Sequence, residues 1–150
     1  MQNIQYRVNE LDNCSFNRPF DDQSQLRIQL EAEAKLFIQR KVLEGRLELA
    51  WSYILDYESE ANPFDERRKA IQAWKKYAVS DTDETPVILV KAQALTKEGL
   101  KSKDALHIAC AIEMQCDFFI TTDDRILNRM KDSHEISVVD PTTFVREVEL

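Results

Sequence analysis

The segment KSKDALHIACAIEMQCDFFITTDD, from Lys101 to Asp124, carries the strongest indication of the fold of this chain. Apolar residues occupy most sides of its first half, which predicts a buried central helix that begins at Ser102 as its cap and ends near Gln115. The run Phe118 to Thr121 then predicts a short buried strand. A buried helix that leads into a buried strand is typical of an α/β protein, in which helices cover a parallel sheet.

Carboxylates stand at both ends of this stretch. Asp104 falls in the first turn of the predicted helix, and Thr121-Thr122-Asp123-Asp124 follows the predicted strand. Each acid also has an ordinary interpretation, because acids favour the first turn of a helix and aspartate often caps one. We expect Asp124 to cap the next helix, and Asp123 to be the acid that is available for binding.

Helices and strands alternate along the rest of the chain. Short apolar or alternating runs predict strands over Ile4 to Leu11, Leu47 to Trp51 and Ile136 to Val139. Helical spacing predicts helices over Gln23 to Leu43, Tyr53 to Ala61, Pro63 to Val79, Pro86 to Lys97, Arg125 to Met130 and Pro141 to Glu149. The acidic segment Ser80 to Thr85 is expected to be a linker-like break. In the first of these helices, Leu26 and Leu30 are expected on the apolar face.

Further acids fall where an α/β sheet places its binding site. In open α/β sheets the site lies beyond the carboxyl ends of the strands, at the point where the strand order reverses. Asp12 ends the first predicted strand, so it shares a crevice with Asp123 if their strands are neighbours. Glu58 lies inside the predicted helix Tyr53 to Ala61, where Asp56 and Glu60 are alternatives for the inward acid.

Composition narrows the functional classes. The chain has 150 residues, which suggests one domain, and its 27 acids against 20 bases give a net charge of -7. This charge argues against simple electrostatic adhesion to nucleic acid, but it allows a metal site. Only two glycines are present, which excludes a glycine-rich phosphate loop. No run is long and apolar enough for a membrane span, and we expect a soluble cytoplasmic protein whose Cys14, Cys110 and Cys116 are reduced.

A crevice of carboxylates favours a hard divalent cation. Carboxylates that face one another repel, and burial adds to the cost, so a bound cation relieves both effects. Mg²⁺ takes oxygen ligands and retains several waters. Such a site suits hydrolysis of phosphodiesters, because the metal polarises the phosphoryl oxygen and activates a bound water.

Other residues near these acids suggest further roles. His107 shares a helix face with Asp104, so a mixed Asp/His transition-metal site is one alternative, and a core histidine or one behind the metal ligands is favoured. Core packing is favoured over base stacking for Trp51 and Trp74. The basic residues that flank the acidic motifs are candidates for holding phosphates. They are Arg18, Lys101, Lys103, Arg125 and Arg129.

The chain resembles the PIN-domain family of nucleases, which includes many prokaryotic toxin ribonucleases. The matching pieces are LDNCSFNRPFDDQ at 11–23, WSYILDYESEANP at 51–63, KDALHIACA at 103–111 and DFFITTDD at 117–124. The resemblance implies a single PIN-like domain over residues 1–150, folded as a three-layer α/β/α sandwich around a central parallel sheet. It also implies a site for Mg²⁺ or Mn²⁺ and cleavage of RNA.

Carried over motif by motif, the family's metal-binding and catalytic acids fall on Asp12, Glu58, Asp104 and Asp123. Asn13 departs from the Thr or Ser that commonly follows the first aspartate. The resemblance predicts a metal-dependent endoribonuclease, with the toxin of a toxin–antitoxin pair as one role; a toxin would bring a small antitoxin partner and a homodimer. The alternative is a catalytically weak PIN-like module that binds RNA or protein. An aspartyl phosphate at Asp12 is disfavoured, because Asp12-Asn13-Cys14 lacks the second aspartate of that class.

Overall fold

The computed structural model describes residues 6–11 and 26–148, and it describes side chains from residue 26 onward. Asp12, Asn13, Cys14 and Arg18 therefore lie outside the described residues, and the predictions made for them stay predictions. Within the described ranges, no helix has the length and apolar character needed to cross a membrane.

The structure is an α/β fold with five parallel strands. The strands are β1 (Tyr6–Leu11), β2 (Leu47–Ser52), β3 (Ala78–Thr82), β4 (Phe118–Ile120) and β5 (Ser137–Val139), in the order β3-β2-β1-β4-β5. The described helices are α1 (Leu26–Leu43), α2 (Tyr53–Glu60), α3 (Asp65–Lys75), α4 (Pro86–Lys97), α5 (Ser102–Glu113), α6 (Asp124–Met130) and α7 (Pro141–Glu147). The α/β class predicted from the sequence is confirmed.

Apolar residues on the two faces of the sheet form two separate cores. Ala50 and Phe119 point to the core that includes α4 and α5, whereas Trp51 and Ile120 point to the core that includes α1 and α7. Neighbouring residues of one strand enter different cores because side chains alternate along a strand. Helices therefore cover both faces, which confirms the expected sandwich of three layers. Cys110 and Cys116 are buried, and neither forms a disulfide within the described part of the chain.

Residues 80–82 of the segment that was expected to be a break belong to a strand, so the prediction was wrong for them. Helix α3 covers only Asp65–Lys75, and β3 then pairs in parallel with β2, from Ala78 opposite Leu49 to Thr82 opposite Ser52. As an edge strand, β3 needs a partner on one side only. Its polar side chains reach solvent there, so the acidity that suggested a linker is compatible with a strand.

The inner face of α1 also differs from the prediction. Leu26 and Leu30 are 69% and 46% exposed, whereas Glu31 and Lys35 are buried. The apolar residues Ala32, Ala34, Ile38 and Val42 are buried in the same helix. The middle of this helix therefore directs two charged groups inward, which the spacing of its leucines did not indicate.

The strand order reverses between β1 and β4. From β1 the sheet extends to β2 and β3 on one side, and to β4 and β5 on the other. Leu11 is in register with Ile120, so β1 and β4 end at the same edge of the sheet. This is the edge at which open α/β sheets bind their ligands. The residues Thr121, Thr122 and Asp123 follow β4 directly.

Candidate metal and nucleic-acid site

Asp123 is fixed at the carboxyl end of β4. It is the N-cap residue of α6, and its Oδ1 accepts a hydrogen bond from the Arg125 backbone N–H at 2.9 Å. Its own N–H donates to Thr121 Oγ1 at 3.1 Å. The cap was predicted at Asp124, which is wrong, because α6 already begins at Asp124 and the cap is the residue before the first helical one. Capping uses one oxygen of Asp123 and leaves the other for a ligand.

Asp124 instead joins α6 to α1. Both of its carboxylate oxygens accept hydrogen bonds from the Arg27 guanidinium, at 2.7 and 2.9 Å. Arg27 Nε also donates to Glu31 Oε1 at 2.7 Å. These hydrogen bonds, which Arg27 donates to Asp124 (the larger effect) and to Glu31, raise the pKa of Arg27 above its already high value. The start of α6, and with it Asp123, is therefore tied to the first turns of α1.

Asp104 lies in the first turn of α5, as predicted, and the residue before this helix is Lys101 rather than the expected cap Ser102. The Asp104 side chain is partly exposed and lines a cavity of about 450 Å³. Three basic residues line the same cavity: Lys101, Arg125 and Arg129. Three of the five basic residues singled out from the sequence thus lie beside a predicted metal ligand.

Arg129 lies against the backbone of Gly99. Gly99 has a φ of 109°, a conformation that suits glycine, and a Cβ built there would lie 3.0 Å from Arg129 Cζ. Helix α4 ends at Lys97, two residues before this glycine. Because Gly99 has no side chain, the guanidinium of Arg129 can lie against its backbone.

Glu58 is the inward acid of α2. Its side chain is 14% exposed, and Oε1 lies 3.0 Å from His107 Nε2 on α5. Asp56 has other partners, because it accepts hydrogen bonds from Trp51 Nε1 and Lys75 Nζ, both at 2.9 Å. Glu60 is exposed. The structure therefore favours Glu58 among the three acids, although its role as a metal ligand stays a prediction.

The predicted acids do not all meet within the described part of the chain. In residues 26–148, no three side chains of Asp, Glu, His or Cys form a group that could hold a metal ion. Asp104 and His107 are one turn apart on α5, and Glu58 contacts His107, while Asp123 stands at the end of β4. The donors available are carboxylate oxygens, which suit Mg²⁺ or Mn²⁺. The fourth predicted ligand, Asp12, is the one outside the described residues.

Some features of this region could not be found in the sequence. Arg27 and Asp124 are 97 positions apart, and no spacing pattern in the sequence links them. The sequence indicates only that His107 lies near the site, because His107 and Asp104 share a helix face. It does not indicate that Glu58 is the partner of His107. Trp51 is fully buried and bonded to Asp56, so core packing was the right interpretation of it.

Comparison with known proteins agrees with this architecture. A family model described as PIN domain matches residues 13–132. The crystal structure of PAE2754 from Pyrobaculum aerophilum superposes with a TM-score of 0.52 at 15% sequence identity, over 95% of this chain and 97% of that chain, which is evidence of a shared fold alone. No curated protein sequence matches the chain. PIN domains are generally nucleases, and those nucleases usually use divalent metals.

Proposed function

Because the chain belongs to the PIN-domain family, we propose that it is a Mg²⁺- or Mn²⁺-dependent endoribonuclease that hydrolyses RNA phosphodiester bonds. One observation carries the proposal: the acid Asp104 shares a cavity with Lys101, Arg125 and Arg129. Metal-dependent cleavage of RNA needs both kinds of group, carboxylates for the cation and cations for the phosphates. An ordinary first-turn acid would not require three basic side chains around it.

The proposed metal ligands are Asp12, Glu58, Asp104 and Asp123. When bound, the divalent cation supplies a Lewis acid that lowers the pKa of water and polarises the phosphate. The chain's own part is to hold the acids in place. Asp123 is oriented by the cap of α6, and Asp104 by the first turn of α5. No side-chain nucleophile is required.

Lys101, Arg125 and Arg129 are proposed to bind the RNA backbone. The chain as a whole carries a charge of -7, so long-range attraction does not bring RNA to it. Binding must then depend on a local group of bases. Arginine suits this role because its planar guanidinium matches the geometry of phosphate oxygens.

The decisive experiment is cleavage of single-stranded RNA with Mg²⁺ or Mn²⁺, with a chelator, and by the variants Asp104→Asn and Asp123→Asn. Asparagine also caps helices, so Asp123→Asn is expected to fold. The matched control is Asp132→Asn, which neutralises an exposed aspartate in the turn after α6. We expect activity to disappear with the chelator and in both site variants, and to persist in the control. Metal-independent cleavage, or full activity of folded Asp104→Asn, would overturn the proposal.

A second candidate function is a PIN-like module that binds RNA or protein without efficient chemistry. It is favoured by the finding that no three metal-binding side chains meet among residues 26–148. Calorimetric titration with Mn²⁺ separates the two candidates. A folded chain that binds no Mn²⁺ at millimolar concentration would favour the binding module.

The toxin role, the small antitoxin and the homodimer stay proposals that come from the family resemblance. A toxin would arrest growth when it is expressed without its antitoxin. Arrest by the wild-type chain but not by Asp104→Asn would support this role, and sedimentation of the purified chain would test the homodimer.

A further inference from the structure

We propose that His107 is a positioning residue, which holds the carboxylate of Glu58 in the orientation that metal binding needs. The inference rests on the proposed function, since His107 has this role only where Glu58 is a metal ligand. This role accounts for the buried polar contact between α2 and α5.

The contact has the geometry of a directed hydrogen bond. His107 Nε2 lies 3.0 Å from Glu58 Oε1, and the two side chains are 3% and 14% exposed. An ionised carboxylate only accepts hydrogen bonds, so Nε2 carries the hydrogen and donates it to Oε1. The described contact of Glu58 uses Oε1 alone, and Oε2 is left for another partner.

The second ring nitrogen shows that the histidine is costly as a packing residue. His107 Nδ1 is buried and has no hydrogen-bond partner among the residues that the structure describes. With the hydrogen on Nε2, Nδ1 holds a lone pair, and a buried lone pair without a donor is unfavourable. A leucine or methionine would fill such a space without this cost. Packing alone therefore does not account for a histidine here, whereas control of Glu58 does.

The surroundings keep the imidazole in place. The Phe119 ring of β4 lies 6.4 Å from the imidazole, centroid to centroid, and Phe119 is fully buried. Asp104 is one helical turn before His107, on the same face of α5. The helix that carries one proposed ligand thus also carries the residue that orients a second one.

Carboxylates that bind metals are commonly hydrogen-bonded by a residue behind them, and loss of that residue typically weakens metal affinity about 10- to 100-fold. The experiment is calorimetric titration with Mn²⁺ of the wild-type chain and of His107→Leu, His107→Gln, Glu58→Gln and the double variant His107→Leu/Glu58→Gln. We expect His107→Leu to weaken Mn²⁺ binding about 10- to 100-fold. Because glutamine offers an N–H donor in place of Nε2, His107→Gln should recover most of the loss. In the Glu58→Gln background, His107→Leu should have little further effect, since the two residues act together.

The matched control is Ile108→Val, which removes a methyl group from the same helix at a fully buried position. It loosens packing without touching the donor to Glu58, so Mn²⁺ affinity should not change. Nitrogen chemical shifts of the imidazole give a readout without any variant. They should report hydrogen on Nε2 and none on Nδ1, and the ring signals should move when Mg²⁺ is added.

The outcomes separate this inference from the proposed function. A wild-type chain that binds Mn²⁺, together with a folded His107→Leu that binds it equally tightly, would overturn the role of His107 alone. The role of His107 would also be overturned if His107→Leu weakened Mn²⁺ binding by the same factor in the wild-type chain and in the Glu58→Gln variant. A folded wild-type chain that binds no Mn²⁺ would overturn the nuclease proposal, and the role of His107 with it.

Discussion

Arg27 and Asp124 form an ion pair with two hydrogen bonds, 2.7 and 2.9 Å long, between positions 97 residues apart. The pair joins the first turn of α1 to the first residue of α6, next to the cap Asp123. Both side chains are more than half exposed, so water screens their attraction. We therefore expect the Arg27–Asp124 pair to contribute more to the position of Asp123 than to the overall stability of the fold.

We therefore predict that Asp124→Asn, which leaves the contact between Arg27 and the buried Glu31 in place, lowers the free energy of unfolding by no more than about 1 kcal/mol, as is usual for exposed ion pairs. Mn²⁺ affinity should fall by a larger factor, because the start of α6 is no longer held. Urea unfolding and calorimetry measure the two effects. Lys91→Gln is the control, since it breaks another exposed pair, Lys91–Glu135 at 2.6 Å, away from the site. Equal effects of the two variants on metal affinity would contradict the prediction.

Gly99 and Gly45 offer a matched test of the cavity wall. Both have positive φ, 109° and 74°, but only at Gly99 would a Cβ meet another residue, the guanidinium of Arg129. Alanine at either position should cost about 1–2 kcal/mol of unfolding free energy from backbone strain. Only Gly99→Ala should displace Arg129 and weaken RNA binding. A comparable loss of RNA affinity in Gly45→Ala would show that strain alone is responsible.

RNA affinity should depend on salt through the basic residues of the cavity. On single strands, each phosphate contact contributes about 0.7 to the slope of log affinity against log salt concentration. We predict that Arg129→Gln and Lys101→Gln each reduce the slope by about this amount, measured by fluorescence anisotropy with chelator present to prevent cleavage. Lys76→Gln, on the exposed end of α3, should leave the slope unchanged. If Arg129→Gln and Lys101→Gln left the slope as unchanged as the control does, Arg129 and Lys101 would not be part of the RNA interface.

Tyr53 gives a prediction for alkaline pH. Burial, followed by the nearby Cys110 and Glu84, raises the pKa of Tyr53 to about 12. The unfolded chain releases this proton near its ordinary value of 10.0, so stability from the neutral form is complete below that pH and is lost as pH rises towards 12. Wild-type stability should therefore fall more steeply over this range than that of Tyr53→Phe, as measured by urea unfolding.

The same variant should also be favourable at neutral pH. The Tyr53 hydroxyl is buried and has no hydrogen-bond partner among the described residues. Its removal should leave the free energy of unfolding unchanged or raise it by about 1 kcal/mol. Tyr57→Phe is the control, because Tyr57 is 64% exposed. A marked loss of stability in Tyr53→Phe would mean that the hydroxyl has a partner in solution.

The architecture was predictable because its signals are local. The buried character of α5 and the apolar run of β4 both follow from residues that are adjacent in sequence, and the PIN-like pieces follow in order. The strand β3 was missed for the same reason, since Ser80 and Asp81 look like a linker when their neighbour β2 is unknown. The sheet supplies that neighbour, and its hydrogen bonds override the weak local preference.

The site was predictable in its residue types but not in their partners. Asp104 was predictable from its motif, and Asp123 from its place after a strand. The choice between Asp123 and Asp124 as the cap was not predictable, because it depends on whether the helix begins one residue earlier or later. The choice of Glu58 over Asp56 needed the packing of α2 against α5, which brings His107 within hydrogen-bonding distance. Such long-range contacts leave no spacing pattern in a single sequence.

The position of β3 at the border of the sheet affects how the chain behaves at high concentration. A bordering strand carries backbone groups that can recruit a strand from a second molecule, and natural proteins discourage this with charged side chains. Val79 is 58% exposed on β3, and Asp81 on the same strand is followed closely by Asp83 and Glu84. Partial burial raises the pKa of Asp81. On acidification, Asp81 therefore loses its negative charge at a higher pH than an ordinary aspartate does. We therefore expect mildly acidic conditions to weaken the protection of β3 against pairing with a strand of a second molecule.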